Sequence, residues 1–190
     1  MKIFIIALGI LAMATVMQAQ DTAVVQTTMG SFTIVLYRGD APKTVENFVG
    51  LSKKGFYDSI LVHRISHDFV IQMGDPLTKD KSQMAHWGSG GESIYGGAFA
   101  DELNEDSKSY LEGYQKGIVA MANSGPNTNT SQFFILLDDA SNWMPHNYTI
   151  FGKVIDGMDV VEKIGEQPIV GGGNDGRPVT DIMINHITIK

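Results

Sequence analysis

Residues 62–75 read VHRISHDFVIQMGD and combine a basic pair with large apolar side chains. Strand alternation predicts that Phe69 and Ile71 face one side of a strand. Val70 and Gln72 are then expected on the opposite face, close to the basic pair. A pocket for an uncharged polar ligand uses such a combination of cation, amide and apolar surface. An ordinary half-buried strand with an exposed arginine is the alternative interpretation.

Short strands are predicted on both sides of this stretch, because β-branched and apolar residues alternate or cluster there. These strands cover residues 23–37 (a hairpin turning at Met29-Gly30), 117–123, 131–137, 148–155 and 182–189. A short helix is predicted over residues 157–164. Its apolar positions Met158, Val161 and Ile164 are expected to face inward. Many short strands, two helices far apart in sequence and glycines at the corners favour a closed antiparallel β-barrel.

The first of the two helices is predicted directly after the hairpin. Asp40 is expected to be its N-cap, with Pro42 in the first turn. The helix is expected to end by Gly55. Val45 and Phe48 follow one another at helical spacing, which is typical of a face that packs on the core rather than of a ligand site.

Two glycine-rich stretches carry little periodicity. Residues 76–114 contain six glycines and few regularly spaced apolar positions, and such long loops in compact domains are functional or disordered. Residues 171–176, GGGNDG, lack the Lys-Ser/Thr of a phosphate loop and do not lead from a strand into a helix. The second stretch is therefore interpreted as a simple turn.

Composition excludes several classes of function. The 190-residue chain is long enough for one domain with a real core, and its net charge of −7 argues against nucleic-acid binding. With no cysteine, there is no disulfide and no cysteine nucleophile. The five histidines form no HExxH motif, and there is no GxSxG motif. No metal and no cofactor are therefore expected.

The N-terminus has the three parts of a secretory signal. Lys2 precedes an uninterrupted apolar run over residues 3–16, and Ala19 offers a small residue for cleavage. The apolar run is too short to span a membrane comfortably, although an uncleaved anchor is the alternative. We therefore expect a cleaved signal peptide over residues 1–19 and a single domain over residues 20–190, located in the periplasm or secreted, with no stable membrane insertion after cleavage.

Four stretches of the chain resemble one family in sequence and in order. VHRISHDFVIQMGD, GGESIYGGAFADE, GIVAMANSGPNTNTSQFFI and FGKVIDGMDVV are similar to the conserved blocks of cyclophilin-type peptidyl-prolyl cis-trans isomerases. The resemblance covers essentially residues 23–190 and suggests a bacterial-style exported member. It implies a mainly β fold, a closed eight-stranded antiparallel barrel capped by two short α-helices, with the substrate in a surface groove.

The resemblance also implies a role for eleven residues. The catalytic group would be Arg64, Gln72 and Phe69; the proline pocket would be walled by Phe69, Val70, Phe134 and Met144; the peptide chain would be held by Ala122, Asn123 and Gln132; and the rim would be formed by Trp143 and Tyr148. Val70 is smaller than the methionine common at its position in the family, and Tyr148 stands where histidine is frequent. The implied partners are proline-containing, unfolded or partly folded polypeptides and cyclosporin-type inhibitors.

The chemistry of X–Pro isomerisation agrees with these residue types. The barrier of about 18–20 kcal/mol is amide resonance, so the twisted state has a basic prolyl nitrogen that an arginine can hydrogen-bond. No acid, base, nucleophile or metal is needed for this reaction. Two alternatives stay open: a non-catalytic proline-peptide binding or chaperone module on the same fold, and a carbohydrate-binding barrel that uses Trp143 and Tyr148.

Overall fold

The computed structural model describes residues 21–190, which form nine strands and three α-helices. The strands are β1 (Thr22–Thr27), β2 (Gly30–Leu36), β3 (Arg64–Ser66), β4 (Val70–Met73), β5 (Ile118–Met121), β6 (Phe133–Leu136), β7 (Ile150–Asp156), β8 (Asp175–Gly176) and β9 (Ile184–Ile189). The helices are α1 (Pro42–Lys53), α2 (Lys108–Glu112) and α3 (Met158–Gly165). The predicted signal peptide lies outside the described residues. Within them, no helix is long and apolar enough to cross a membrane.

The strands form one curled antiparallel sheet in the order β8-β3-β4-β6-β5-β7-β2-β1-β9. The residues just before β3 and those just before β9 meet at an isolated bridge between Leu61 and Met183, beside a hydrogen bond from Ile184 N to Ile60 O (2.8 Å). The expected closed eight-stranded barrel is therefore wrong in two details: residues 21–190 form nine strands, and within them no ladder joins β9 to β8 or β3. The reason is that β8 pairs with the free edge of β3, so β9 reaches only the residues that precede β3.

The predicted hairpin and both predicted helices are confirmed, and a third helix is added. β1 and β2 pair antiparallel around a turn at residues 28–29, and α1 and α3 occupy the predicted positions. α2 and two 3₁₀ turns (Pro76–Lys79 and Lys81–His86) lie in the stretch that was expected to be irregular. These segments are too short for the periodicity of their side chains to identify them.

The expected cap of α1 is wrong. Ala41 occupies the N-cap position, and the Asp40 carboxylate instead accepts a hydrogen bond from Ser109 N at the start of α2 (2.8 Å). The Glu102 carboxylate accepts from Lys43 N (3.0 Å) and from Thr44 N (2.8 Å), which are free donors in the first turn of α1. A carboxylate about sixty residues away in the chain therefore replaces the local cap.

Alternation along the strands gives the sheet two apolar faces. On the concave side, Ile65, Ile71 and Phe133 belong to the main core, where α1 inserts Phe48 with its ring 5.5 Å from that of Phe133. On the convex side of β4, β5 and β6 lies a second, smaller cluster that includes Val70, Ala120, Phe134, Leu136 and Met144. The second cluster is open to solvent at one end, and this is where the predicted site residues converge.

Candidate active site

Strand register brings two of the predicted catalytic residues, Arg64 and Gln72, into one row with Phe134. Arg64 on β3 stands opposite Gln72 on β4, which stands opposite Phe134 on β6, which in turn stands opposite Ala120 on β5. Directly opposed residues of antiparallel strands project to the same face at close range. A cation, an amide, an aromatic ring and a small residue are therefore placed side by side by backbone pairing alone.

Phe69 reaches this face by a route that alternation does not predict. Because Ser66 pairs with Val70, residues 67–69 form a three-residue hairpin loop, and Asp68 has the left-handed φ of 58° that such loops use. Phe69 belongs to this loop and lies with Val70 in the convex cluster. The expected grouping of Phe69 with Ile71 is therefore wrong, whereas the shared face of Val70 and Gln72 is confirmed.

A cavity of about 180 Å³ opens at the end of the convex cluster. Nine of the eleven predicted site residues line it: Arg64, Phe69, Val70, Gln72, Ala122, Asn123, Phe134, Met144 and Tyr148. Its volume is below the roughly 300–1,000 Å³ of sites for drug-sized ligands, so it accommodates about one side chain. The Tyr148 ring stands edge-on to Phe134 with centroids 5.5 Å apart, and the Tyr114 hydroxyl fixes the Tyr148 backbone by accepting from its N–H (3.0 Å).

Among residues 21–190, Arg64 is the one charged side chain that lines the cavity, and two neighbours hold it. Its Nη1 donates to Gln72 Oε1 (3.1 Å). Its Nε donates to Asp175 Oδ1 (2.9 Å), and its Nη2 donates to Asp175 Oδ2 (2.5 Å). These hydrogen bonds from Arg64 hold the pKa of the Asp175 carboxyl below its ordinary value.

Sequence reasoning missed Asp175, because residues 171–176 were interpreted as a simple turn. The loop does turn, since Gly171, Gly172 and Gly173 all have positive φ (89°, 65° and 123°), which favours glycine at each position. The turn leads directly into β8 and sets Asp175 beside β3. No local pattern in the sequence identifies an aspartate that pairs with a residue 111 positions away.

Gln132 lies beside the cavity, in an adjoining polar cleft of about 160 Å³ that shares Gln72, Ala122 and Asn123 with it. Its Oε1 accepts from Gln72 Nε2 (2.9 Å), and its Nε2 donates to Gly88 O (2.9 Å) and Gly90 O (2.6 Å). Both amide protons are therefore used within the chain. The contact of Gln132 with a bound peptide stays a prediction, and in this structure Gln132 orients Gln72.

Trp143 also lies outside the cavity lining. Its side chain is exposed, and its ring packs against Phe69 with centroids 5.0 Å apart. Trp143 therefore covers the outer surface of one cavity wall. Asn123 contributes to the opposite rim, where its Nδ2 donates to Asn147 O (2.8 Å) and holds the loop that carries Met144 and Tyr148.

His63, next to Arg64 in the chain, faces the interior rather than the cavity. Burial lowers the pKa of His63 to about 4, against the opposing negative charge of Asp75 and with a smaller contribution from the positive charge of Arg64. Neither ring nitrogen has a hydrogen-bond partner among residues 21–190. The same residues contain no group of three or more His, Asp or Glu side chains arranged to hold a metal ion.

Residues 22–189 match the sequence model of the family described as cyclophilin type peptidyl-prolyl cis-trans isomerase/CLD. A peptidyl-prolyl cis-trans isomerase-like 1 of Neurospora crassa is 45% identical over 166 residues, which are 87% of this chain and 91% of that protein. A protein of the same name from Emericella nidulans is 43% identical over 158 residues, 83% of this chain and 88% of that protein.

Solved structures agree with these matches. A crystal structure of a cyclophilin type peptidyl-prolyl cis-trans isomerase from Cryptosporidium parvum is 33% identical, with a TM-score of 0.77 over 90% of this chain and 98% of that one. The same enzyme in the presence of the dipeptide Ala-Pro gives a TM-score of 0.76.

The chain therefore belongs to the cyclophilin-type peptidyl-prolyl cis-trans isomerases. The enzyme class expected from the sequence is confirmed by the family match and by the names of the relatives. These relatives are eukaryotic, so they give no support to the expectation of a bacterial-style exported member.

Proposed function

We propose that this protein accelerates the cis–trans isomerisation of X–Pro bonds in unfolded, partly folded or exported polypeptides, with Arg64 hydrogen-bonding the twisted prolyl nitrogen. The observation that carries the proposal is the apolar cavity with a single guanidinium at its edge. The proline ring would enter between Phe69, Val70, Phe134 and Met144. The Cryptosporidium enzyme was crystallised in the presence of Ala-Pro, which supports a proline-containing ligand for the equivalent groove here.

Arg64 favours the transition state over the ground state. In the planar amide the prolyl nitrogen is a poor acceptor, because its lone pair is delocalised into the carbonyl. In the twisted state the nitrogen is pyramidal and accepts a hydrogen bond. A donor that acts only in that state lowers the barrier without tightening ground-state binding.

The number of N–H donors left on Arg64 supports a contact with substrate. A guanidinium has five N–H groups. Within residues 21–190, Asp175 engages one on Nε and one on Nη2, and Gln72 engages one on Nη1. Two N–H groups are left, one on each terminal nitrogen. The side chain is thus oriented by its neighbours and still able to donate.

The hydrogen bond from Arg64 does not account for the whole acceleration. A charge-assisted bond contributes about 1.5–3 kcal/mol, whereas a millionfold acceleration requires about 8 kcal/mol. We assign the remaining reduction of the barrier to two contacts. The apolar walls of the cavity pack around the proline ring, and Ala122 and Asn123 hold the peptide backbone. Both hold the substrate in a geometry from which the bond can rotate.

Replacement of Arg64 tests the proposal. Arg64→Ala should lower kcat/KM for a short X–Pro peptide by about 10- to 150-fold, while the Kd of the peptide changes far less. Arg64→Lys should recover little, because an ammonium cannot be held by Asp175 and Gln72 in one plane. Line-shape or exchange NMR gives kcat/KM and Kd, and circular dichroism checks folding.

Arg38→Ala is the matched control for Arg64→Ala. Arg38 is an exposed arginine that forms an ion pair with Asp21 (2.5 Å) outside the cavity, so its removal should leave kcat/KM unchanged. A folded Arg64→Ala protein with wild-type kcat/KM would show that Arg64 is not the donor. Peptide binding without any acceleration in the wild-type protein would instead favour the non-catalytic binding module.

We also propose that cyclosporin-type inhibitors bind at the same surface. The indole of Trp143 packs on the outer side of Phe69, next to the cavity, where a large cyclic peptide would cover it. Val70 and Tyr148 change the shape of the rim and should weaken binding. Trp143 fluorescence and isomerase activity should both respond to the inhibitor, and no change in either at saturation would contradict this.

We further propose that the protein is exported to the periplasm or secreted, with removal of residues 1–19. The support is the sequence pattern of Lys2 followed by the apolar run of residues 3–16 and a small residue at Ala19.

The carbohydrate-binding alternative finds no support in the family match or in the position of Trp143 outside the cavity.

A further inference from the structure

Asp175 is bound to the proposed catalytic arginine more extensively than any residue of the cavity. Its two carboxylate oxygens face the Nε and Nη2 edge of Arg64 at 2.9 Å and 2.5 Å, which is the fork geometry of a bidentate arginine–carboxylate pair. The pairing of β8 with β3, with Asp175 opposite Ser66, holds the aspartate in place. Asp175 itself does not line the cavity.

Two separate anchors on one planar group determine where its remaining donors point. Asp175 holds the Nε–Nη2 edge of the guanidinium, and Gln72 holds Nη1 from β4 (3.1 Å). An arginine side chain otherwise has many rotamers available to it, and Arg64 is only partly buried. With both anchors in place, the two remaining N–H groups keep a constant direction at the edge of the cavity.

The Asp175 carboxylate has two opposing effects on Arg64, one through its charge and one through its position. Its negative charge weakens Arg64 as a cationic donor, but the pair is partly exposed, with side-chain exposures of 36% for Arg64 and 49% for Asp175, so solvent screens this effect. Its geometric effect is not screened, and a displacement of about 1 Å costs up to ~10²-fold in rate. Orientation therefore outweighs the loss of charge.

We propose that Asp175 is a positioning residue for isomerisation, which fixes the plane of the Arg64 guanidinium so that its free N–H groups face the prolyl nitrogen. This inference rests on the proposed role of Arg64. Asp175 touches neither the substrate nor the reacting bond, and it acts only through Arg64. A half-exposed ion pair contributes little to stability, so the proposal predicts a kinetic effect with little effect on folding.

The test is a double-mutant cycle between Asp175 and Arg64. Asp175→Ala should lower kcat by about tenfold, with a much smaller change in the Kd of an X–Pro peptide. Asp175→Asn, which keeps one acceptor oxygen, should fall between Asp175→Ala and the wild type. In the Arg64→Ala background, Asp175→Ala should produce no further loss, because the group that it orients is absent.

The control is Asp159→Ala, which removes an exposed carboxylate paired with Lys163 (2.9 Å) on α3 and should leave kcat unchanged. The proposal is overturned if folded Asp175→Ala keeps kcat within twofold of wild type while Arg64→Ala lowers it, and the proposed function then stands. It is overturned equally if Asp175→Ala lowers kcat to the same extent in both backgrounds. Wild-type kcat in Arg64→Ala would refute the role of Arg64 itself.

Discussion

Arg64 acquires its proposed role from contacts on both sides of its strand. Its side chain is a mobile surface cation in isolation, and it becomes an oriented donor because Gln72 stands opposite it on β4 and Asp175 is brought to it by β8. Gln72 is itself fixed by Gln132, which is anchored to the backbone of Gly88 and Gly90. A chain of hydrogen bonds therefore connects the cavity to the long glycine-containing loop.

His63 makes stability depend on pH. Burial lowers its pKa to about 4 in the folded protein, against ~6.5 in the unfolded chain. As pH falls through this window, the unfolded state binds a proton that the folded state does not, so the free energy of unfolding should fall by about 3 kcal/mol. His63→Phe should remove most of this fall, measured by urea denaturation at pH 7 and pH 4.5.

The exposed His86 provides a control, since His86→Phe should keep the pH dependence of the wild type. If His63→Phe loses as much stability on acidification as the wild-type protein, the buried imidazole is not the cause.

The activity should stay flat between about pH 6 and 8, because guanidinium does not titrate there and no histidine of residues 21–190 lines the cavity.

At the scale of elements, carboxylates that are distant in the sequence bond the first turns of α1 and α2, although Ser107 also caps α2 locally. The Glu102 carboxylate bonds two backbone N–H groups of α1 and the Thr44 hydroxyl (2.8 Å), while Glu102 N donates to Thr149 Oγ1 (2.8 Å). The Asp40 carboxylate likewise accepts a hydrogen bond from Ser109 N in the first turn of α2. α1 is thereby tied to the loop that contains Glu102 and, through Thr149, to the residue that precedes β7.

Removal of this cap should be measurable. Glu102→Ala leaves two donors of α1 without their partner, and we expect the free energy of unfolding to fall by about 1–2 kcal/mol. Glu105→Ala, which removes an exposed carboxylate three residues away, is the control and should have little effect. Chemical denaturation measures both variants, and equal stabilities of the two would contradict the capping role of Glu102.

At the scale of the whole molecule, the proposed export makes a direct prediction. The mature protein should begin near Gln20 and should be recovered outside the cytoplasm, because the segment removed has the pattern of a secretory signal. N-terminal sequencing of the periplasmic or secreted fraction tests this. A mature product that still carries Lys2 would show that the segment is not cleaved.

Local pattern predicted two of the helices and the strands other than β8, whereas the residues of the cavity were assigned by the resemblance to the family. Val70 and Gln72 share a face because side chains of a strand alternate, and Val45 and Phe48 are buried because helical spacing places them on one side. Nine of the eleven residues assigned by motif line one cavity. Alternation, helical spacing and motif order are all properties of contiguous residues, so they can be read without knowledge of the fold.

The tertiary structure decided the contacts between residues that are distant in the chain. Asp175 reaches Arg64, and Glu102 caps α1. β8 occupies the edge of β3 and so prevents a continuous ladder between β3 and β9. Phe69 lies on the convex face because it belongs to a three-residue loop. Each depends on how a loop returns the chain to the sheet. Periodicity reports which face of an element is buried, but it carries no information about which distant polar group will meet it there.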